Sequence, residues 1–321
     1  MTTVWSAGMA TGIGSLPGTD GAAAQARTFE LLPGLPHLVE LPDRGPGADL
    51  VGRGAVLLTD LPVDIQPAGW RLVARPGRDL RRSRDLLARD VDVLAEAADG
   101  YAGPLKIQAC GPWTLAASLE LTRGDKALAD RGAVVEIAAA LADGLAAHVA
   151  AIGRAVPGAE VAVQLDEPSL PAVLGGRLRS ASGFATLRTP ESTEAQEILA
   201  TVLSSVPHPG VHCCAAGVPV DLLRASGAAW VSLDVTLRHD EDQIGVAYEA
   251  GTGFLLGVDT DPAPARRLLQ RLGLDAAVAR EQTVLTPTCG LAARSEPDAW
   301  ATYRHTVELA RRLAEEIEEA S

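Results

Sequence analysis

The 321-residue sequence predicts an α/β fold, a (β/α)8 TIM barrel forming one domain over residues 1–321, with insertions near 43–78 and 171–189. Eight short apolar segments alternate with helix-periodic ones, which implies a parallel sheet with helices outside it, and eight is the number of repeats that closes a barrel. No Gly-x-Gly-x-x-Gly fingerprint or phosphate-cradling loop occurs where a doubly wound open sheet would need one, which disfavours that rival. Ser15, Glu40, Asp166, Glu167, His212, Cys214, Asp234, Asp259 and Cys289 all fall at or just past the C-terminal ends of the predicted strands. In this fold that face carries the chemistry.

Residues 10–14 give the first strand, and Ser15-Leu16-Pro17-Gly18-Thr19-Asp20 supplies turn and cap chemistry for the helix after it. His37-Leu38-Val39-Glu40-Leu41 reads as strand two, followed by the loop Pro42-Asp43-Arg44-Gly45-Pro46-Gly47. Residues 50–74 have no clean period and are expected to form an excursion, whereas 79–98 repeat apolar residues at helical spacing. Strand three is 105–111, ahead of Pro112-Trp113-Thr114 and a polar turn around Arg123-Gly124-Asp125, and a long Ala-rich helix covers 126–156. Strand four, 161–166, stops at Asp166-Glu167-Pro168. A Gly/Ser-rich insertion and a helix at 190–205 lead to strand five at 209–214, a short helix at 219–225 and strand six at 230–234. Helix 241–250, strand seven at 253–258, the turn Asp259-Thr260-Asp261-Pro262, helix 263–272 and strand eight at 283–287 follow. Cys289-Gly290 lies just past the last strand, and an amphipathic helix at 297–318 completes the pattern.

Apolar residues make up 47% of the chain, enough for a sizeable core. Lys+Arg total 28 against Asp+Glu 41, a net charge of −13, which argues against nucleic acid or anionic lipid as partner and for a small molecule. Met1-Thr2-Thr3-Val4-Trp5 shows no basic region followed by an apolar core, and no run is expected to reach bilayer length, so the expected location is cytoplasmic. Four cysteines, two of them adjacent, do not resemble a disulfide framework.

Val211-His212-Cys213-Cys214-Ala215-Ala216-Gly217 concentrates soft metal ligands. If 209–214 runs as a strand, His212 and Cys214 share one face and Cys213 the other. Imidazole and thiolate so placed can bind a borderline-soft ion such as Zn²⁺, given at least one more ligand, for which Cys289 is the candidate. The bland alternative is cysteines packed as small hydrophobes and a core histidine.

Five stretches resemble, in order and spacing, the C-terminal catalytic barrel of the cobalamin-independent methionine synthases. They are Ile13-Gly14-Ser15-Leu16-Pro17, Gly111-Pro112-x-Thr114, Gln164-Leu165-Asp166-Glu167-Pro168, His212-x-Cys214 and Pro287-x-Cys289-Gly290-Leu291-x-x-Arg294. The resemblance, closest to short single-barrel relatives, implies a Zn²⁺ cofactor held by His212, Cys214, a carboxylate at the end of the next strand, here Asp234, and Cys289. Asp234 is a departure, because the family has Glu there; one methylene shorter, it ligates only if its strand sits closer, or it leaves the position to water or substrate. The resemblance also implies homocysteine as substrate, its carboxylate near Gly14 and Ser15 and its amine at Asp166, with Glu167 a weaker candidate for the same pocket. Zn²⁺ would deprotonate the thiol while leaving it nucleophilic. Structural alternatives are a helix cap for Ser15 and local pairing for Asp166.

Three departures bear on the methyl donor. The long enzymes carry an additional N-terminal barrel that helps bind folate, Thr260 stands where a general-acid histidine is expected, and Ser118 stands near the folate-stacking aromatic position, with Trp113 the available substitute. Together they argue against methyltetrahydrofolate and leave the donor open, a methylated corrinoid protein among the options. The leading expectation is a zinc-dependent methyltransferase acting on a substrate thiol, homocysteine giving methionine. The alternative is a non-catalytic or diverged barrel that binds zinc or a small thiol, and a third reading is a zinc-independent lyase similar to the uroporphyrinogen decarboxylases. Cys213 and Cys110 are expected to pack behind the barrel, His37, His148, His208, His239 and His305 to be structural or surface residues, and Asp43 and Arg44 to line the pocket.

Overall fold

Strands walled in by helices are buried on both faces, and 105–109, 161–165, 231–233 and 254–258 are buried along their whole length. The computed structural model describes residues 4–319; Met1, Thr2 and Thr3 of the opening stretch read for a targeting signal lie outside them. Within the first insertion, β1 (Val63–Gln66) and β2 (Gly69–Leu72) form a separate antiparallel hairpin. The barrel wall is β3 (Gly103–Cys110), β4 (Ala159–Asp166), β5 (Pro209–Cys213), β6 (Trp230–Asp234), β7 (Gly253–Val258) and β8 (Thr283–Pro287), paired in parallel in chain order. The helices are α1 (Gly21–Leu31), α2 (Leu50–Val56), α3 (Arg78–Ala97), α4 (Pro112–Ser118), α5 (Arg131–Ala155) and α6 (Leu170–Leu174). They continue as α7 (Ser192–Leu203), α8 (Val220–Ala225), α9 (Glu241–Glu249), α10 (Ala263–Leu272), α11 (Ala276–Gln282) and α12 (Glu296–Glu319).

The first two expected strands close the circuit in reduced form, as isolated bridges. Ala10 pairs with Leu285, Ser15 with Glu40 and His37 with Lys106, all in parallel. Thr11 N donates to Leu285 O at 3.1 Å, and Leu38 N to Lys106 O at 2.9 Å. The ladder breaks where backbone must pass side chains closely: at Gly14, with φ 153°, a Cβ would lie 2.8 Å from the Gln108 side chain. The excursion at 50–74 resolves into α2 and the hairpin, and α4, α6 and α11 are short helices the periodicity did not announce.

One expectation is corrected at α5, which is 25 residues long with a mean hydropathy of 1.6 over 18 of them, enough by length and composition to cross a bilayer. Its alanines raise the hydropathy, while Val134, Ile137, Leu141, Leu145 and Ile152 are buried against the rest of the protein.

A small apolar cluster of Trp5, Leu35, Trp230, Leu255 and Val284, distinct from the main core between sheet and helices, floors the barrel at the start of β6. Trp5 and Trp230 meet edge to face, centroids 5.8 Å apart. Above that floor the interior turns polar, with Lys106, Gln108, Gln164, Asp166, His212 and Ser232 buried on β3 to β6. Just past β4, Glu167 accepts from Trp113 N and Thr114 N at 2.8 Å each and from Thr114 Oγ1 at 2.7 Å, capping α4. Complete burial pushes its carboxyl up to about 7 against the pull of those donors. A Cβ on Gly111 would lie 2.5 Å from Glu167 Cδ, so the Gly-Pro-x-Thr and Asp-Glu-Pro stretches form one interlock. Gly111→Ala is expected to lower the unfolding free energy by about 2–3 kcal/mol in urea titrations, the cost of overpacking a rigid site; an unchanged midpoint would contradict the interlock.

Candidate metal centre

The two-residue period of β5 turns His212 to the barrel interior and Cys213 to the outer core, where Cys213 is fully buried. Cys214 is the first residue beyond β5, and Cys289 lies two beyond β8. One ligand atom each from His212, Cys214 and Cys289 lies within 4.8 Å of the others. His212 and Ser232 are register partners, and His212 Nδ1 lies 2.9 Å from Ser232 Oγ, while Nε2 is buried with no partner. A ring fixed through one nitrogen and left free at the other is how ligating histidines are held. The hydrogen bond from the Cys214 thiol and then the adjacent imidazole pull Cys289 down to about 4, and the same coupling pushes Cys214 above the usual thiol range. One nitrogen and two sulfurs, one already favouring the anion, fit a borderline-soft divalent ion.

Asp234 is not in that group. Its Oδ1 accepts from Thr236 N at 2.9 Å and Thr236 Oγ1 at 2.6 Å, a local turn in which the short side chain closes on its own backbone. His239 braces the same residue, its Nε2 donating to Asp234 O at 2.7 Å. The donor set gathered here is therefore three residues where the sequence suggested four.

Gly14 and Ser15 lie beside this set. Leu291 N donates to Ser15 O at 2.8 Å, and Gly290 leaves no room for a side chain because Ser15 Oγ fills the space. Asp20, not Ser15, caps α1. Asp166 is buried and accepts from Gln164 Nε2 at 2.7 Å through Oδ1. Desolvation and then the Glu40 charge raise its carboxyl well above the usual range, with Lys106 opposing. Glu167 is spent on α4, which removes it from the pocket for which it was a candidate.

Three residues shape the site besides those assigned to it: Glu40, marked in the sequence only as a strand-end carboxylate, and Arg53 and Lys106, which pattern reasoning passed over. Glu40 is buried and pairs with Arg53 of α2 at 3.0 Å; Arg53 continues to Asp90 on α3, which Arg44 grips through both oxygens at 2.6 and 2.8 Å. Arg44 is thus tied to α3, and Asp43 Oδ2 accepts from Gly18 N at 2.9 Å, so neither lines the pocket as expected. Lys106 reaches into the interior from β3; a lysine between Leu105 and Ile107 in a wall strand was the available signal. Trp113 is fully buried and donates Nε1–H to Ala195 O at 3.2 Å, so it packs and does not stack a ligand. His305 Nε2 donates to Thr260 O at 2.8 Å, and Asp259 pairs with Arg294 at 2.9 Å. His37 shares a hydrogen bond with Tyr303 at 2.8 Å, and Cys110 is buried against Gly54 of α2.

No family model matches the sequence, and no curated protein matches it. Among solved structures the chain is similar to that of a B12-independent methionine synthase from Shewanella sp. W3-18-1 in complex with selenomethionine, with a TM-score of 0.65 and 12% identity over 98% of this chain and 100% of that one. At that identity the likeness establishes the fold, and function has to be argued from the site.

In metal-free protein, Cys289, exposed and favouring the thiolate, is expected to react with iodoacetamide at least about tenfold faster than buried Cys110 and Cys213, with Zn²⁺ protecting it. Peptide mass spectrometry reads the order, and equal labelling of all four cysteines would contradict the arrangement.

Proposed function

We propose that this chain is a zinc-dependent methyltransferase that places a methyl group on a substrate thiol, with L-homocysteine as acceptor and methionine as product. The observation that carries the reading is the convergence of His212, Cys214 and Cys289 at the C-terminal mouth of the barrel, the face where this fold does chemistry. Those three residues would hold the ion. When bound, Zn²⁺ supplies the Lewis acidity that keeps a thiol sulfur deprotonated and reactive near neutral pH.

The chain's own residues supply the rest. Ser232 fixes the His212 ring, so its free nitrogen is oriented before any ligand arrives. Asp166, with one oxygen held by Gln164, and neighbouring Glu40 present carboxylates that can accept from an ammonium group. The Gly14-Ser15 turn, pressed against Gly290, sits between those carboxylates and the sulfur ligands, where an α-carboxylate would meet backbone. The apolar floor that includes Trp230 closes the pocket from below. The selenomethionine bound by the fold neighbour is the selenium analogue of the product proposed here. Burial of Trp113 supports a methyl donor other than methyltetrahydrofolate, a methylated corrinoid protein being one such carrier.

Elemental analysis of protein purified without added metal is expected to give about one zinc per chain, and calorimetry to show L-homocysteine binding that disappears in Cys289→Ser. Asp166→Asn should weaken that binding by about tenfold or more, the usual cost of removing a charged hydrogen-bond partner, while Asp234→Asn keeps its zinc. Absence of zinc, with reconstitution also failing, would remove the methyltransferase reading.

A further inference from the structure

A buried ammonium needs compensation from inside the protein, and Lys106, 1% exposed on β3, finds it in a backbone carbonyl shared with another strand. Its Nζ donates to Ile13 O at 2.9 Å, with Gln108 Oε1 at 3.4 Å. Gln164 Nε2 donates to the same Ile13 O at 2.9 Å and to Asp166 Oδ1 at 2.7 Å. One carbonyl thereby joins the stretch before Gly14-Ser15, the middle of β3 and the end of β4. Lys106 also faces the charges of Asp166 and Glu40.

An α-amino acid carries its carboxylate and its ammonium on one carbon. A site that reads both must hold the two recognising elements at a fixed separation, because a misplacement of about 1 Å is costly. We propose that Lys106 is the positioning residue for the α-amino-acid end of the pocket: through Ile13 O it fixes the Gly14-Ser15 turn relative to Asp166, and its charge balances the Asp166 and Glu40 carboxylates. The inference rests on the reading above that the pocket takes an α-amino acid. It adds that recognition of that group is set from beneath, by a side chain that touches neither the substrate nor the metal.

Lys106→Met keeps most of the length and removes the charge, and Gln164→Met removes the second donor to Ile13 O, so the pin is released from either side. With full-length zinc-loaded protein, calorimetry compares L-homocysteine with propane-1-thiol, which has the sulfur and lacks the α-amino-acid group. Lys106→Met is expected to bind L-homocysteine about 10- to 100-fold more weakly and propane-1-thiol within about threefold of wild type, with zinc content unchanged. Gln164→Met should show the same ligand order, though it also frees Asp166; Lys106→Gln, which loses the charge and shortens the reach to Ile13 O, decides the matter if Lys106→Met does not fold. Unchanged or tighter binding of L-homocysteine, the latter expected if Lys106 merely repels the ligand ammonium, overturns the inference and leaves the proposed function standing. Equal losses for both ligands, the mark of a structural role, overturn it in the same way. A wild-type chain that takes up no L-homocysteine overturns both.

Discussion

A wall of parallel strands can enclose ionic side chains only if each finds a partner inside, since an uncompensated charge in the interior costs several kcal/mol. The site depends on how this barrel meets that condition. Lys106 leans on Ile13 O, Asp166 on Gln164, and Glu40 on Arg53, whose other side is held by Asp90. The chain of charges runs from the mouth of the barrel through Arg53 of α2, which balances the Glu40 carboxylate, out to Asp90 of α3, so a short helix that looks peripheral compensates a charge beside the pocket. The polar layer is bounded below by tryptophan and leucine, which confines it to the end where the metal ligands stand.

Stretches far apart in the sequence turn out to be single contacts. Gly290 lacks a side chain where Ser15 Oγ sits, and Gly111 lacks one where the Glu167 carboxylate caps α4. In both pairs one partner's polar group occupies the space that the other's Cβ would need. Glycine at these positions is a packing requirement, apart from any contact with substrate.

The eight-strand order was legible because each wall strand is a short apolar run bounded by turn residues, and His212, Cys214 and Cys289 were legible because soft ligands are scarce in this chain. Strands one and two were legible in place and not in form, since nothing local announces that the chain pairs there only through single bridges, with Gly14 passing the Gln108 side chain closely. Whether the Asp234 carboxylate reaches the other ligands was left open by the sequence, because the hydroxyl two residues on, Thr236, that holds it within one turn shows only in the folded chain. Glu167 was read as a pocket group when its partners come from a helix some fifty residues earlier. Arg53 carried no signal: its role exists only once α2 and α3 are folded against the barrel.

Closure of the barrel joins residues near the two ends of the described chain, with Ala10 against Leu285 and Leu291 N donating to Ser15 O. Such sequence-distant pairing is slow, because loop entropy is lost before the contacts repay it, and it completes after the local βα units. Cys289 follows directly on that seam, whereas His212 at the end of β5 and Cys214 just past it lie away from it. The complete donor set is therefore a property of the zipped barrel alone. An ion that binds it prefers the closed chain to any species open at the seam, and so acts as a latch on the final step of assembly.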